Sequence, residues 1–250
     1  LLLQPLSAPL RADLVAYRAQ QALNIGDLQT AGDELLRAID LQPRNGFYAD
    51  GMALVYETSG LFGYAFEELE RSARLQSGRP YAAFNAANAA IRVENIDRAQ
   101  YWFEQVLVSE PNGASLLTES ALFFSQTGRP DRAYELLESF EELGSGSPEA
   151  WRTAEQAYLE LGEETRADMA GICWGKGTSL TIHCTAENRG YSAAYAEARA
   201  AVRQNRIEEA EHWFEQALEG PPGRGTLLTE SALFFSQTGR PDRAYELLES

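Results

Sequence analysis

The chain has 250 residues, of which 44% are hydrophobic and 23% charged, so it carries enough apolar material to fold throughout and shows no low-complexity tail. Its formal charge of −16 argues against nucleic acid, whose binding needs clustered cations, and against a polybasic grip on an anionic membrane. No apolar run approaches the roughly 18–20 residues needed to cross a bilayer.

Taken from its start, the chain opens on Leu1-Leu2-Leu3-Gln4-Pro5-Leu6-Ser7-Ala8, without a methionine, as in a fragment or a processed product. Residues 1–11 read as an apolar segment packing on the first helix, or as the tail of a signal peptide. The second reading would place the protein in the periplasm or at a cell surface.

From residue 12 a helical pattern begins and repeats. An alanine recurs at Ala31, Ala65, Ala99, Ala133 and Ala167, each step being 34 residues; after a step of 43 it returns at Ala210 and Ala244. Four residues later stands a large apolar side chain (Leu35, Leu69, Phe103, Leu137, Phe214, Leu248), on the same helical face. Upstream, Gly26, Gly60, Gly128, Gly162 and Gly239 mark a turn, with Asn95 and Asn205 near the same place in the other repeats. Before each turn lies a second amphipathic stretch with a small residue: Ala19, Ala53, Ala87, Ala121, Ala198, Ala232. Pro43, Pro111 and Pro222 close the second helix. Each repeat is therefore helix, tight turn, helix, short loop, with the two helices crossing at paired alanines.

These residues resemble the tetratricopeptide repeat family, as in Gly26…Ala31…Leu35…Ala38…Pro43. The resemblance covers nearly all of 12–250. It departs where the family usually has tryptophan or leucine early in the first helix; only Leu117, Trp151 and Leu228 conform. It implies an all-α solenoid of about seven antiparallel pairs in a right-handed superhelix. Repeats one to five would occupy 12–170, the fifth incomplete, and repeats six and seven 191–250, the seventh truncated.

Between them, 171–190 (GICWGKGTSLTIHCTAENRG) breaks the pattern with glycines and a β-branched run, suiting a hairpin or looped excursion. It holds the only lysine, Lys176, and both cysteines, Cys173 and Cys184. A disulfide between the two would close the loop in an oxidising compartment; two unbonded cysteines are the alternative. A metal site from Cys173, His183 and Cys184 lacks a fourth ligand nearby, so neither metal nor other cofactor is expected.

The stretch 116–139 (LLTESALFFSQTGRPDRAYELLES) reappears unchanged at 227–250. The fold constrains only a few places per repeat, so this reads as recent duplication of DNA or as selection for two identical surfaces.

No phosphate loop, nucleophile elbow or HExxH motif occurs, and His212 reads as a surface residue, so no catalytic residue is assigned. The family resemblance implies that the first helix of each repeat lines a concave groove. The residues on that side are Tyr81, Phe84, Asn85, Asn88 and Arg92, then Arg152, then Tyr195, Arg199 and Arg203. Aromatic plus arginine is a composition enriched at protein interfaces; ordinary exposed helix residues are the alternative. The family's clamp for chaperone C-terminal carboxylates uses lysines and asparagines, and only Asn85 fits it. The expected function is a bacterial protein-interaction scaffold holding a protein or peptide. The alternative is a self-assembling structural protein stacked head to tail into a ring or filament, its ends covering Ala244, Leu247 and Leu248 with Leu1-Leu2-Leu3 and Leu6.

Overall fold

The computed structural model describes residues 7–143, 146–173, 189–219 and 225–249. Among them lie fourteen α-helices and no strand: α1 Ala8–Asn24, α2 Leu28–Leu41, α3 Gly46–Thr58, α4 Phe62–Leu75, α5 Pro80–Arg92, α6 Ile96–Ser109, α7 Ala114–Gln126, α8 Pro130–Leu143, α9 Pro148–Glu160, α10 Glu164–Cys173, α11 Arg189–Arg203, α12 Ile207–Leu218, α13 Gly225–Gln237 and α14 Pro241–Glu249. They form seven consecutive pairs, as the period predicts. The contacts divide the chain into two compact units, Leu1–Pro111 with α1–α6 and Asn112–Ser250 with α7–α14.

One turn joins the helices of every pair. The residue two places past the end of the first helix takes a left-handed conformation: Gly26, Gly60, Glu94, Gly128, Gly162, Asn205 and Gly239. The next N–H then donates back five residues, Asp27 N to Ala22 O at 2.9 Å, and the same bond recurs in all seven pairs (for example Glu163 N to Tyr158 O, 2.9 Å). This bond satisfies a carbonyl that the helix end would leave bare. It also corrects the expectation for the third repeat. Glu94, not Asn95, occupies the left-handed position; Asn95 starts α6 as its cap, its side chain accepting from Arg98 N at 3.2 Å. Asp27 caps α2 in the same way, accepting from Thr30 N, and hydrogen bonding from the Thr30 side chain and backbone holds its carboxyl below the ordinary value.

In the first unit α1 packs on α2, α3 on both α2 and α4, and α5 on α4 and α6. The crossing alanines Ala19, Ala31 and Ala38 are fully enclosed with Leu35, and Tyr48, Met52 and Val55 of α3 seal the far side. Helices α2 and α3 approach closely at Gly51, where a Cβ would stand 2.9 Å from a methyl of Leu35.

In the second unit α7 packs on α8 and α9, α9 on α10, α10 on α11, α11 on α12, and α13 on α14. Phe124, Leu137, Phe140, Trp151 and Tyr158 form its enclosed core. The Phe140 and Trp151 rings meet edge to face with centroids 4.6 Å apart. Helix α10 carries on through Gly171 to Cys173, and α11 resumes at Arg189. The expected excursion between them, with Lys176, His183 and Cys184, lies outside the described residues, as do Leu1-Leu2-Leu3 and Leu6.

Candidate functional site

In the first unit α3 and α5 face each other across a cavity. On α5 steps of three and four residues set Asn85, Asn88 and Arg92 on one face, and on α3 steps of four and three do the same for Asp50, Leu54 and Glu57. The two faces line a cavity of about 560 Å³ floored by Ala53, Leu69 and Ala89. Its walls carry two amides, two carboxylates and one guanidinium, with exposed Leu54 and Ile91 as apolar patches. Arg92 reaches across to Glu57 at 2.9 Å, clamping the α3–α5 spacing. Asp50 Oδ2 accepts from Gln76 Nε2 at 2.9 Å, while its Oδ1 is enclosed without a hydrogen-bond partner among the described residues.

The other two aromatic candidates of this repeat diverge. Tyr81, a turn before Asn85, stands exposed at the start of α5. Phe84 turns inward, its ring edge-on to Phe103 of α6 at 6.1 Å, so it supports the groove and does not line it. Sequence reasoning missed Asp50, Leu54 and Glu57. The signal existed: 34 residues before Phe84, Asn88 and Ile91, these three hold the same register on the preceding first helix.

The candidates of the second unit lie apart from this cavity and are engaged internally. Arg199 faces Glu230 at 3.8 Å, and Arg203 pairs with Asp168 at 2.6 Å. Both line a cavity of about 410 Å³ with Leu233 and Phe234. Tyr195 is buried; enclosure and its bond to Glu230 push its phenol far above the ordinary range. Arg152 is exposed on α9, and its charge partly offsets the burial that raises the Glu119 carboxyl.

Cys173 is buried at the end of α10, whereas Cys184 lies outside the described residues, so their pairing stays a proposal. No group of three metal-ligating side chains occurs among the described residues, and no helix there is long and apolar enough to cross a membrane.

Compared with known proteins, the chain matches no family model and no curated protein. Solved structures do match. A tetratricopeptide repeat protein from Parabacteroides merdae superposes with a TM-score of 0.57 at 12% identity, over 96% of this chain and 91% of that one. The MamA protein gives 0.54 at 17% identity, over 69% of this chain and 97% of its own. YrrB, described as a TPR protein with an unusual peptide-binding site, gives 0.52 at 15%, over 68% and 89%. At these identities the likeness speaks for architecture, and it agrees with the 34-residue period and the recurring turn: the chain has the tetratricopeptide-repeat fold.

Proposed function

We propose that this protein is an interaction scaffold whose α3–α5 groove holds an extended, basic segment of a partner protein. The observation that carries the reading is the pair Asn85 and Asn88 on the wall of an open cavity. A side-chain amide offers a donor and an acceptor together, which suits the alternating N–H and C=O groups of an extended backbone. Asp50 and Glu57 supply negative charge at the same place, and a net charge of −16 steers cationic segments toward it. Tyr81, exposed on α5 one turn before Asn85, offers a rigid aromatic contact to the same segment. YrrB, which shares the fold, is described as having a peptide-binding site.

In the second unit Arg152, Arg199 and Arg203 form a separate proposed contact surface, with Leu233 as its exposed apolar element; Tyr195 is buried and supports it from within. Because Arg199 and Arg203 already hold carboxylates, a partner there must exchange one ion pair for another, which yields little net affinity.

The self-assembling alternative would have Leu1-Leu2-Leu3 and Leu6 of one copy, with α1 behind them, cover α13–α14 of the next. Register disfavours it. Four repeat periods separate α1 from α9, and at that offset Arg18 falls where Ala154 packs and Val15 where Trp151 packs.

The test is a set of immobilised peptides spanning acidic, neutral and basic compositions, probed with the full chain and with Asn85→Ala/Asn88→Ala. Retention of basic peptides, weakened about tenfold by the double substitution at roughly 0.5–1.5 kcal/mol per hydrogen bond, is the expected result. Retention of acidic peptides only, or no effect of the substitution, rejects the reading.

A further inference from the structure

Acidic residues outnumber basic ones 37 to 21 in this chain, so an arginine with no carboxylate beside it is informative. In the first unit Arg37, Arg71, Arg74 and Arg98 each pair with a glutamate of α2 or α4. Arg44 and Arg79 do not: among the described residues no ion pair reaches either. Both line a cavity of about 590 Å³ where the α2–α3 and α4–α5 loops meet, together with Pro43, Phe47, Leu75 and Gln76. Among the described residues no carboxylate lines it.

Its walls are held by bonds made elsewhere. Arg71 donates to Pro43 O at 3.2 Å, fixing the α2–α3 loop from α4, and Asn45 caps α3 by accepting from Phe47 N at 3.2 Å. Gln76 lies against the start of α3, where a Cβ on Gly46 would stand 2.5 Å from its Cγ. Its amide donates to Ser72 Oγ at 2.7 Å and to Asp50 Oδ2 at 2.9 Å. The Arg79 guanidinium rests over the Phe47 ring, 4.6 Å from the centroid. Stacking of this kind holds the planar group by its face and leaves open the N–H edge, which grips an oxyanion through two parallel bonds. Phe47 is itself 54% exposed, an aromatic surface beside the same two cations.

The cavity thus offers two cations and an apolar wall to one ligand. A polyanion suits it poorly, since a chain of −16 repels one at long range and two guanidiniums neutralise few phosphates. A carboxylate side chain flanked by an apolar residue matches both features. Position adds a second constraint. Gln76 lines this cavity and Asp50 lines the α3–α5 groove, so their hydrogen bond is the wall that the two share. Along α3 the step from Phe47 to Leu54 is about 10 Å at roughly 1.5 Å per residue, which an extended strand covers in about three residues.

We propose that this cavity takes a glutamate or aspartate side chain of the partner segment, with an adjoining aromatic or aliphatic residue, about three residues from the cationic residue held in the groove. The segment recognised is then bipolar, basic over Asp50 and Glu57 and acidic over Arg44 and Arg79, and the order of its charges fixes its direction. The spacing rests on the groove reading under Proposed function; the arginine subsite does not.

The probes are fluorescently labelled peptides titrated with the full chain and with Arg44→Ala/Arg79→Ala. One is a basic peptide from the immobilised set, alone and extended by Gly-Phe-Glu at its amino end or at its carboxyl end. Another is acetyl-Gly-Phe-Glu-Phe-Glu-Gly-amide, whose blocked ends leave only side-chain carboxylates. One extension should tighten binding about tenfold and the other leave it unchanged. The double substitution should remove that gain without weakening the unextended basic peptide, because it takes positive charge away from a surface that attracts cations. The blocked acidic peptide should bind the full chain and lose binding with the substitution. If no basic peptide binds, the groove reading falls by itself, and the blocked peptide alone decides the arginine subsite. Both arginines are exposed, so their substitution leaves the fold intact, which circular dichroism checks. The proposal is overturned by no gain from either extension of a bound peptide, by an equal gain from both, or by binding of the blocked peptide that is absent or indifferent to the substitution. Self-association of the chain abolished by the same substitution also overturns it, since a second copy would then be the occupant.

Discussion

Truncating Leu137 and Leu248 to alanine, one at a time, makes the same chemical change in the same local sequence and isolates what a neighbouring repeat contributes. Leu137 is fully enclosed, one turn before Phe140, whose ring meets Trp151 of α9. Removing its isobutyl group forfeits the transfer term and leaves a cavity, which for an enclosed leucine costs about 2–5 kcal/mol. Leu248 keeps 64% of its surface in water; most of its methyls gain nothing on folding, so the loss is about 0.5 kcal/mol or less. The assay is urea unfolding followed by far-ultraviolet circular dichroism, at several chain concentrations. Repeat arrays can lose strict two-state behaviour, so midpoints and slopes are compared together. A clear downward shift for Leu137→Ala with almost none for Leu248→Ala is expected. Equal shifts would refute the premise that each pair is completed by the helix that follows it.

Other outcomes follow from single contacts. Glu94→Gly relieves a left-handed conformation that costs a non-glycine residue about 1–2 kcal/mol, against about 0.5–1 kcal/mol of added chain freedom, so thermal unfolding should shift upward slightly. Ala99→Leu forces a larger side chain into a fully buried helix crossing and should cost about 1–3 kcal/mol in the same measurement. Burial raises the Glu119 carboxyl, with Arg152 opposing, so the folded chain holds a proton that the unfolded chain releases. That contribution is complete below the ordinary glutamate range and is lost as pH rises through the folded value. Glu119→Gln should therefore stabilise at neutral pH and flatten this part of the pH profile, as urea midpoints from pH 4 to 7 would read.

Much of the architecture was legible because it repeats. A spacing of 34 residues fixes the crossing alanines, and glycine is the cheapest residue for the left-handed turn, so the pairs declare themselves wherever both occur. The exception is instructive: at the third turn no glycine is present, and Asn95 attracted the assignment because asparagine tolerates that conformation. Position decided otherwise, since Glu94 holds the periodic place and Asn95 is needed as the cap of α6. At the groove, helical spacing placed Asn85, Asn88 and Arg92 on one wall, but the opposite wall on α3 became visible only with the packing of α3 and α5 around a common helix, α4. Phe84 has the same period as its neighbours, and its inward turn depends on Phe103, a contact made across sequence. At the far pair the expected apolar face included Ala244 and Leu247, which are buried against their own pair; Leu233, Tyr245 and Leu248 are the exposed ones. Periodicity gives the stripe of a helix but not which flank a neighbour leaves open.

The central claim, that the α3–α5 groove receives an extended basic segment, is tested most directly by amide hydrogen exchange of the full chain with and without a basic peptide taken from the immobilised set. The account predicts added protection concentrated in Gly46–Thr58 and Pro80–Arg92, abolished by Asn85→Ala/Asn88→Ala. Protection confined to α7–α14, or protection of α3 and α5 that survives the double substitution unchanged, would contradict it.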